Sequence, residues 1–364
     1  MFVLTVPGLA EPVERDLTAL PGVRITGRGN DGRSDVVLCE VEEGREADLF
    51  HLRSVEDVFV EAGRTLRSEG DKPHWTAGRL WRPGPSGRAL ARWRSWPSAG
   101  RRDRPARNRP DGARRGGARA GANTAGPLTY RVVARVLQER SYRRTELRRS
   151  LTAQVERAHP GWRTADPAAL EIWALEYRPG KFVAGLRLSG VGMRQHGGRA
   201  VERSGALRPA VAAAMVALAG PSTGTLLDPC CGSGTILAEA HAKGWRPAGR
   251  DIDARAVEAA ARNVPAAVVR VGDARALDLP DDAVGACVSN LPFGRRYRTE
   301  GEPVRWLRAV LEEVGRVVVP GGPVILLIPE LPRPALPSNL RRVGRYPIRL
   351  LGMPTTIWHL RREN

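Results

Sequence analysis

Residues 225–235 read Thr-Leu-Leu-Asp-Pro-Cys-Cys-Gly-Ser-Gly-Thr, an apolar strand that ends in Asp228 and runs through Gly232 and Gly234 into a helical pattern, TILAEAHAKG. Glycines at such a strand-to-helix turn let the backbone approach a ligand, and the free N–H groups of the helix start face it. This is a nucleotide-type cofactor loop. Asp251 follows at the end of the next strand, GRDID, 19 residues after Gly232, the spacing of a carboxylate that hydrogen-bonds ribose hydroxyls. A dinucleotide dehydrogenase would place a third glycine near Leu237, and this chain has none there.

Outward from the loop, strand and helix patterns alternate from Ala206 to the C-terminus: ALRPAVAAAMVALA, TLLDP, TILAEAHAKG, PAGRDI, ARAVEAAARNV, AVVRVGD, AVGACVSNLP, VRWLRAVLEEVGRVV and PVILLIP. Such alternation predicts a doubly wound, mostly parallel sheet. The closing RRVGRYPIRLLGMPTTIWHLRR reads as two strands joined by a turn, an antiparallel ending that such sheets permit. The third strand ends in Val271-Gly272-Asp273-Ala274, which places another acid at the carboxyl edge. Asp273 is either an acceptor for an adenine amino group or a turn-capping aspartate.

The fourth strand ends in Ser289-Asn290-Leu291-Pro292-Phe293-Gly294-Arg295-Arg296. An exocyclic amine on a planar base is a poor nucleophile, because its lone pair is delocalised into the ring. The Asn290 side chain and a backbone carbonyl of the Leu291-Pro292 step can accept its two N–H groups, Phe293 can stack on the base, and proline stiffens the turn that presents them. The plainer alternative is a strand-to-loop turn with a buried phenylalanine.

These blocks resemble class I S-adenosylmethionine-dependent methyltransferases, and within them the THUMP-domain enzymes that methylate N2 of guanosine in RNA. The resemblance rests on DPCCGSGTILAEA, GRDID, GDAR and NLPFGRR in order, with LSGVGMRQHGGRA and ALRPAVAAAMVALA before them, and covers about Leu128 to Arg362. The NLPFG form looks most like the tRNA guanosine-N2 methyltransferases. The resemblance implies that Asp228, Gly232 and Gly234 contact the methionine and ribose part of S-adenosylmethionine, Asp251 the ribose and Asp273 the adenine. It also implies that Asn290, Pro292 and Phe293 position the target base, with no metal and no covalent nucleophile. Cys230 and Cys231 are read as small packing residues.

The rest of the chain supplies the partner. With 58 basic residues against 39 acidic ones the formal charge is +19, so an acidic partner is expected. Only Lys72, Lys181 and Lys243 are lysines, an arginine bias that GC-rich coding produces by itself. Residues 1–75 alternate FVLTV, EPVERDLTAL, VRITG, DVVLCEV, READLFHL and VEDVFVEA, a β-α-β-β-α-β order that matches a ferredoxin-like unit. Residues 76–127 are dominated by Arg, Gly, Pro, Ala and Ser and are expected to be a disordered insert. Trp75, Trp81, Trp93 and Trp96 at its start are either stacking platforms for RNA or packing residues, and packing is preferred. Residues 128–200 form a second small α/β module, THUMP-like by the resemblance. Its helix carries Arg143, Arg144, Arg148 and Arg149, either a phosphate footprint or a solvated face.

Residues 201–364 are then the methyltransferase domain, and the fold class is α/β. The four cysteines show no zinc-ligand spacing. No apolar run is long enough to span a bilayer, and a cytoplasmic location is expected. The favoured reading is methyl transfer to guanosine N2 in tRNA, with 23S ribosomal RNA as an alternative substrate. A non-catalytic RNA-binding protein with a degenerate site is the alternative of another class.

Overall fold

The computed structural model describes residues 1–66, 72–97, 127–137, 142–196, 206–222, 224–292, 303–350 and 352–363. The first 66 residues form β1 (Phe2–Thr5), α1 (Ala10–Thr18), β2 (Val23–Asn30), β3 (Asp35–Val41), a 3-10 helix (Glu46–His51) and β4 (Asp57–Leu66). This is the order that the apolar patterning predicts, with the second helix wound as 3-10. The chain divides into two compact units, one of residues 1–3, 27–32 and 57–191, the other of residues 4–26, 33–56 and 192–364.

The first unit continues with α2 (Pro73–Leu80), α3 (Pro83–Ser95), β5 (Thr129–Arg135), α4 (Arg144–Ala158), β6 (Arg163–Thr164), β7 (Leu170–Arg178) and β8 (Lys181–Arg187). Strands β4, β8, β7, β5 and β6 are successive neighbours in one sheet. β7 and β8 form a hairpin, turned at Pro179-Gly180, where Gly180 takes φ +72. β5 runs parallel to β7, which the intervening α4 makes possible as a crossover.

Helices α2 and α3 correct the expected disorder over 76–97. The window is poor in large apolar residues on average, but Ala77, Leu80, Ala89, Leu90 and Trp93 recur at helical spacing and are buried. Proline at the first turn of each helix costs no hydrogen bond. Trp81 and Trp93 are core residues, Trp96 is half-buried and Trp75 is exposed, so packing prevails at two of the four tryptophans. Residues 98–126, where the Arg/Gly tract continues, lie outside the described residues.

The second unit adds α5 (Val191–Gln195), α6 (Pro209–Leu218), β9 (Thr225–Asp228), α7 (Thr235–Ala242), β10 (Arg246–Asp251), α8 (Ala254–Asn263), β11 (Val268–Val271), β12 (Ala286–Asn290), α9 (Pro303–Val317), β13 (Pro323–Ile328), β14 (Leu340–Leu350) and β15 (Met353–Arg362). Its seven-stranded sheet has the order β11-β10-β9-β12-β13-β15-β14. The first five strands are parallel, and β15 runs antiparallel between β13 and β14. Strand alternation divides the core between two faces. Leu226, Val288, Ile325 and Leu327 pack with α6 and α7, while Leu227, Cys287, Val324 and Leu326 pack with α9. A sheet buried on both faces reads as near-continuous apolar runs, as PVILLI in β13 does. No helix among the described residues is long and apolar enough to cross a membrane.

Candidate active site

Strand order reverses between β9 and β12: the chain builds outward to β10 and β11 on one side and to β13 on the other. In open parallel sheets, ligands bind in the crevice outside the carboxyl ends of the strands at such a point. Asp228 ends β9, Asp251 ends β10 and Asn290 ends β12, so three of the expected site residues lie on this edge.

The loop between β9 and α7 is held by side chains rather than by regular structure. Asp251 accepts the Gly232 amide at 2.9 Å through Oδ2 and the Asp253 amide at 3.0 Å through Oδ1. The Cys231 amide donates to the Arg250 carbonyl at 2.8 Å, and Asn263 Nδ2 donates to the Ser233 carbonyl at 2.9 Å. Gly232 and Gly234 take φ +52 and +83, left-handed values that other residues adopt at a cost. A Cβ on Gly232 would meet open space, whereas one on Gly234 would lie 3.2 Å from Ala260. Gly234 therefore serves packing of α7 on α8, and Gly232 leaves an open backbone cradle.

Asp228 is 2% exposed. Its Oδ1 accepts Ser289 Oγ at 2.6 Å and the Cys230 amide at 3.1 Å. Burial pushes its carboxyl up to about 7; the Ser289 and Cys230 hydrogen bonds oppose this, and the neighbouring Asp251 charge adds to it. The Cys230, Cys231 and Cys287 thiols are driven up as well, by burial first and then by the nearby carboxylates, so they stay protonated and pack as small apolar groups.

Asp273 follows β11, in a turn that the Gly272 amide ties to the Asp251 carbonyl at 3.0 Å. Its carboxylate is taken by Arg275, whose NH2 lies 2.6 Å from Oδ2 and whose amide lies 2.8 Å from Oδ1. That hydrogen bonding holds Asp273 below the usual carboxylate range. Arg275 is a partner that the spacing of GDAR does not announce.

Asn290 is half-buried, and its Oδ1 is sealed from solvent with no hydrogen-bond partner among the described residues. An acceptor held dry and unpaired costs about 1–3 kcal/mol, so a donor brought to Asn290 Oδ1 would be favoured. Pro292 follows, half-buried; Phe293 lies outside the described residues. Sequence reading passed over Ser289, which nothing in its spacing marks, and Ile252, an apolar side chain 73% exposed next to Asp251. A group of three or more metal-ligating side chains is not found among the described residues.

Comparison with known proteins bears on this edge directly. Residues 196–343 match UPF0020, described as an RMKL-like methyltransferase domain. Over 133 residues the chain is 38% identical to the tRNA (guanine(10)-N2)-dimethyltransferase of Methanothermobacter thermautotrophicus, covering 34% of this chain and 39% of that one. Over 142 residues it is 34% identical to the U6 snRNA (guanine-N(2))-methyltransferase THUMPD2 of Bos taurus, covering 36% of this chain and 27% of that one. The chain thus spans well under half the length of these curated relatives. The crystal structure of TrmN from Thermus thermophilus superposes with a TM-score of 0.69 at 22% identity, covering 99% of this chain and 98% of that one, and so shares the fold. The matched segment contains every one of the expected site residues, and residues 196–343 are similar to a methyltransferase domain of the RMKL-like kind.

Proposed function

We propose that the protein transfers a methyl group from S-adenosylmethionine to the exocyclic N2 of guanosine in RNA, with tRNA as the substrate. The observation that carries this reading is the dry, unpaired Asn290 Oδ1 at the end of β12, on the sheet edge that also holds the Gly232 cradle and Asp251. Relatives named for guanine-N2 methylation of tRNA and U6 snRNA support the choice of atom.

The residues present fit the cofactor. Gly232 leaves an open backbone cradle, Asp251 has carboxylate lone pairs beyond the two amides it accepts, and exposed Ile252 offers an apolar surface beside it. Asp228, Gly232 and Gly234 would hold the methionine and ribose part, Asp251 the ribose hydroxyls, and Asp273 the adenine amine, shared with Arg275. When bound, the cofactor supplies a methyl group on a sulfonium, an activated leaving group that needs no covalent help.

The protein contributes orientation. Asn290 Oδ1 accepts one N–H of the guanine amine, a carbonyl of the Leu291-Pro292 step accepts the other, and Phe293 stacks on the base. An amide is not a base at neutral pH, so Asn290 holds the amine without taking its proton. The guanine must be unpaired or flipped out to reach this edge. The module at 128–200, read as THUMP-like, would hold the RNA through its arginines. The reading carries with it a cytoplasmic location.

Incubation of unmodified tRNA, ribosomal RNA and U6 snRNA with labelled cofactor, followed by nucleoside mass spectrometry, tests this. N2-methylguanosine from tRNA is the expected product. Label in ribosomal RNA or U6 snRNA alone would move the substrate, and label in none of them would overturn the reading.

A further inference from the structure

Two strands that flank the crevice part company just before the residues that matter. β12 pairs with β9 only at Ala286–Leu226 and Cys287–Leu227, while on its other side it stays paired with β13 through Asn290–Leu327. The last three residues of β12 therefore have no ladder to β9. What spans the gap is one side-chain bond, Ser289 Oγ donating to Asp228 Oδ1 at 2.6 Å, between a fully buried serine and a carboxyl that is 2% exposed. Asp228 begins the cofactor loop, and Ser289 is covalently next to Asn290.

We propose that Ser289 is a positioning residue that locks the cofactor loop to the base-holding end of β12, so that filling of one side sets the geometry of the other. The proposal rests on the function read above. A hydrogen bond to a buried carboxyl in a dry site is among the stronger ones when the acceptor is charged. The groups that face Asp228 are Asp251 from β10 and the thiols of Cys230, Cys231 and Cys287, with Arg250 beside Cys231. The hydroxyl is the side-chain donor that favours the ionised carboxyl, helped by the Cys230 amide. Removing it should move ionisation of Asp228, and with it the pH dependence of cofactor binding, to higher pH. A serine that only filled space would leave both alone.

The test uses the full chain and S-adenosylhomocysteine as probe, titrated by calorimetry across the neutral range, beside single-turnover methyl transfer to unmodified tRNA at saturating cofactor. Ser289→Ala should bind the probe about tenfold more weakly at neutral pH and shift the acid loss of binding up by about one unit. It should also slow transfer by about tenfold or more, and Ser289→Thr, which keeps the hydroxyl, should restore all three. Parental affinity, parental pH midpoint and parental rate in Ser289→Ala would overturn the proposal. If the alanine variant fails to fold, Asp228→Asn carries the test: it should bind without that pH midpoint, and a parental midpoint would overturn the proposal. A parent that binds the probe with this pH dependence but methylates no RNA sinks the function and leaves the lock standing; a parent that does not bind the probe sinks both.

Discussion

The Asp251 carboxylate accepts the Gly232 amide at 2.9 Å across the turn between β9 and α7. The acid at the end of the second strand of this sheet is thus the post on which the glycine loop hangs, besides being a candidate ribose ligand. Because its other oxygen accepts the Asp253 amide at 3.0 Å, one side chain fixes the starts of two ligand-facing turns. Asp251→Ala should therefore do more than delete a ligand contact. Cofactor affinity should fall about a hundredfold, two lost hydrogen-bonding roles rather than one, as read by calorimetry. A fall of only a few-fold would mean that the loop stands without Asp251.

Asn290→Ala separates chemistry from binding. Methyl transfer should vanish while cofactor affinity stays near the parent's, since the side chain is proposed to hold the base rather than the cofactor. Stability should not drop and can rise by about 1 kcal/mol, because the substitution removes a dry acceptor that has no partner among the described residues. Denaturant unfolding and single-turnover assays check the two halves, and retained turnover would remove Asn290 from the mechanism.

The two loop glycines should respond differently to alanine. Gly234→Ala meets both a left-handed φ of +83 and Ala260 at 3.2 Å, and should cost about 2–3 kcal/mol in urea unfolding. Gly232→Ala meets open space at φ +52 and should cost only about 1 kcal/mol, yet weaken the cofactor by narrowing its cradle. Equal stability losses would refute this division of roles.

Asp228 should make the ligand-free protein less stable as pH rises. Its folded pKa of about 7 lies above the ordinary aspartate value of 3.8, so its contribution is fully present below that ordinary value and is lost as pH climbs through 7. The whole effect, three units of displacement, amounts to no more than ~4 kcal/mol. Thermal melts of the parent and of Asp228→Asn across this range should diverge, with the parent alone falling. Cofactor binding runs the opposite way, because the α-ammonium group that S-adenosylmethionine and S-adenosylhomocysteine share would favour the ionised carboxyl.

Glu239, on α7, is almost fully buried and receives Arg53 Nε at 2.6 Å and His196 Nδ1 at 2.8 Å. Burial pushes its carboxyl up, but the bonds from His196 and Arg53 outweigh this and hold it below the usual range. Arg53→Ala strips one partner from a buried charge and should cost about 3–5 kcal/mol in denaturant unfolding. A loss under 1 kcal/mol would show that His196 alone satisfies the carboxylate. His196 itself sits at φ +49, a conformation that a side chain held in place from outside can sustain.

Much of the sheet and most of its edge were legible in the chain alone. Short apolar runs that close on Asp228, Asp251 and Asn290 mark β9, β10 and β12, because a parallel strand buried on both faces is written with little polar alternation. The antiparallel β14–β15 pair was legible as two strand-like runs joined by a turn. The helices over 73–95 were not: their apolar face is made of a few residues scattered through arginine, glycine and proline, and composition averages that away.

What the sequence determined by itself is the kind of loop, the identity of the acids and of Asn290, and their order along the chain, since each is a local matter of residue type and spacing. Only the tertiary structure decided that β9 and β12 lie side by side and separate early, that a serine bridges them, that Arg275 occupies Asp273, and that Asn290 Oδ1 is dry and unpaired among the described residues. Those facts depend on which strands become neighbours and on what water is shut out, and both are settled by packing across the whole sheet rather than by any stretch of it.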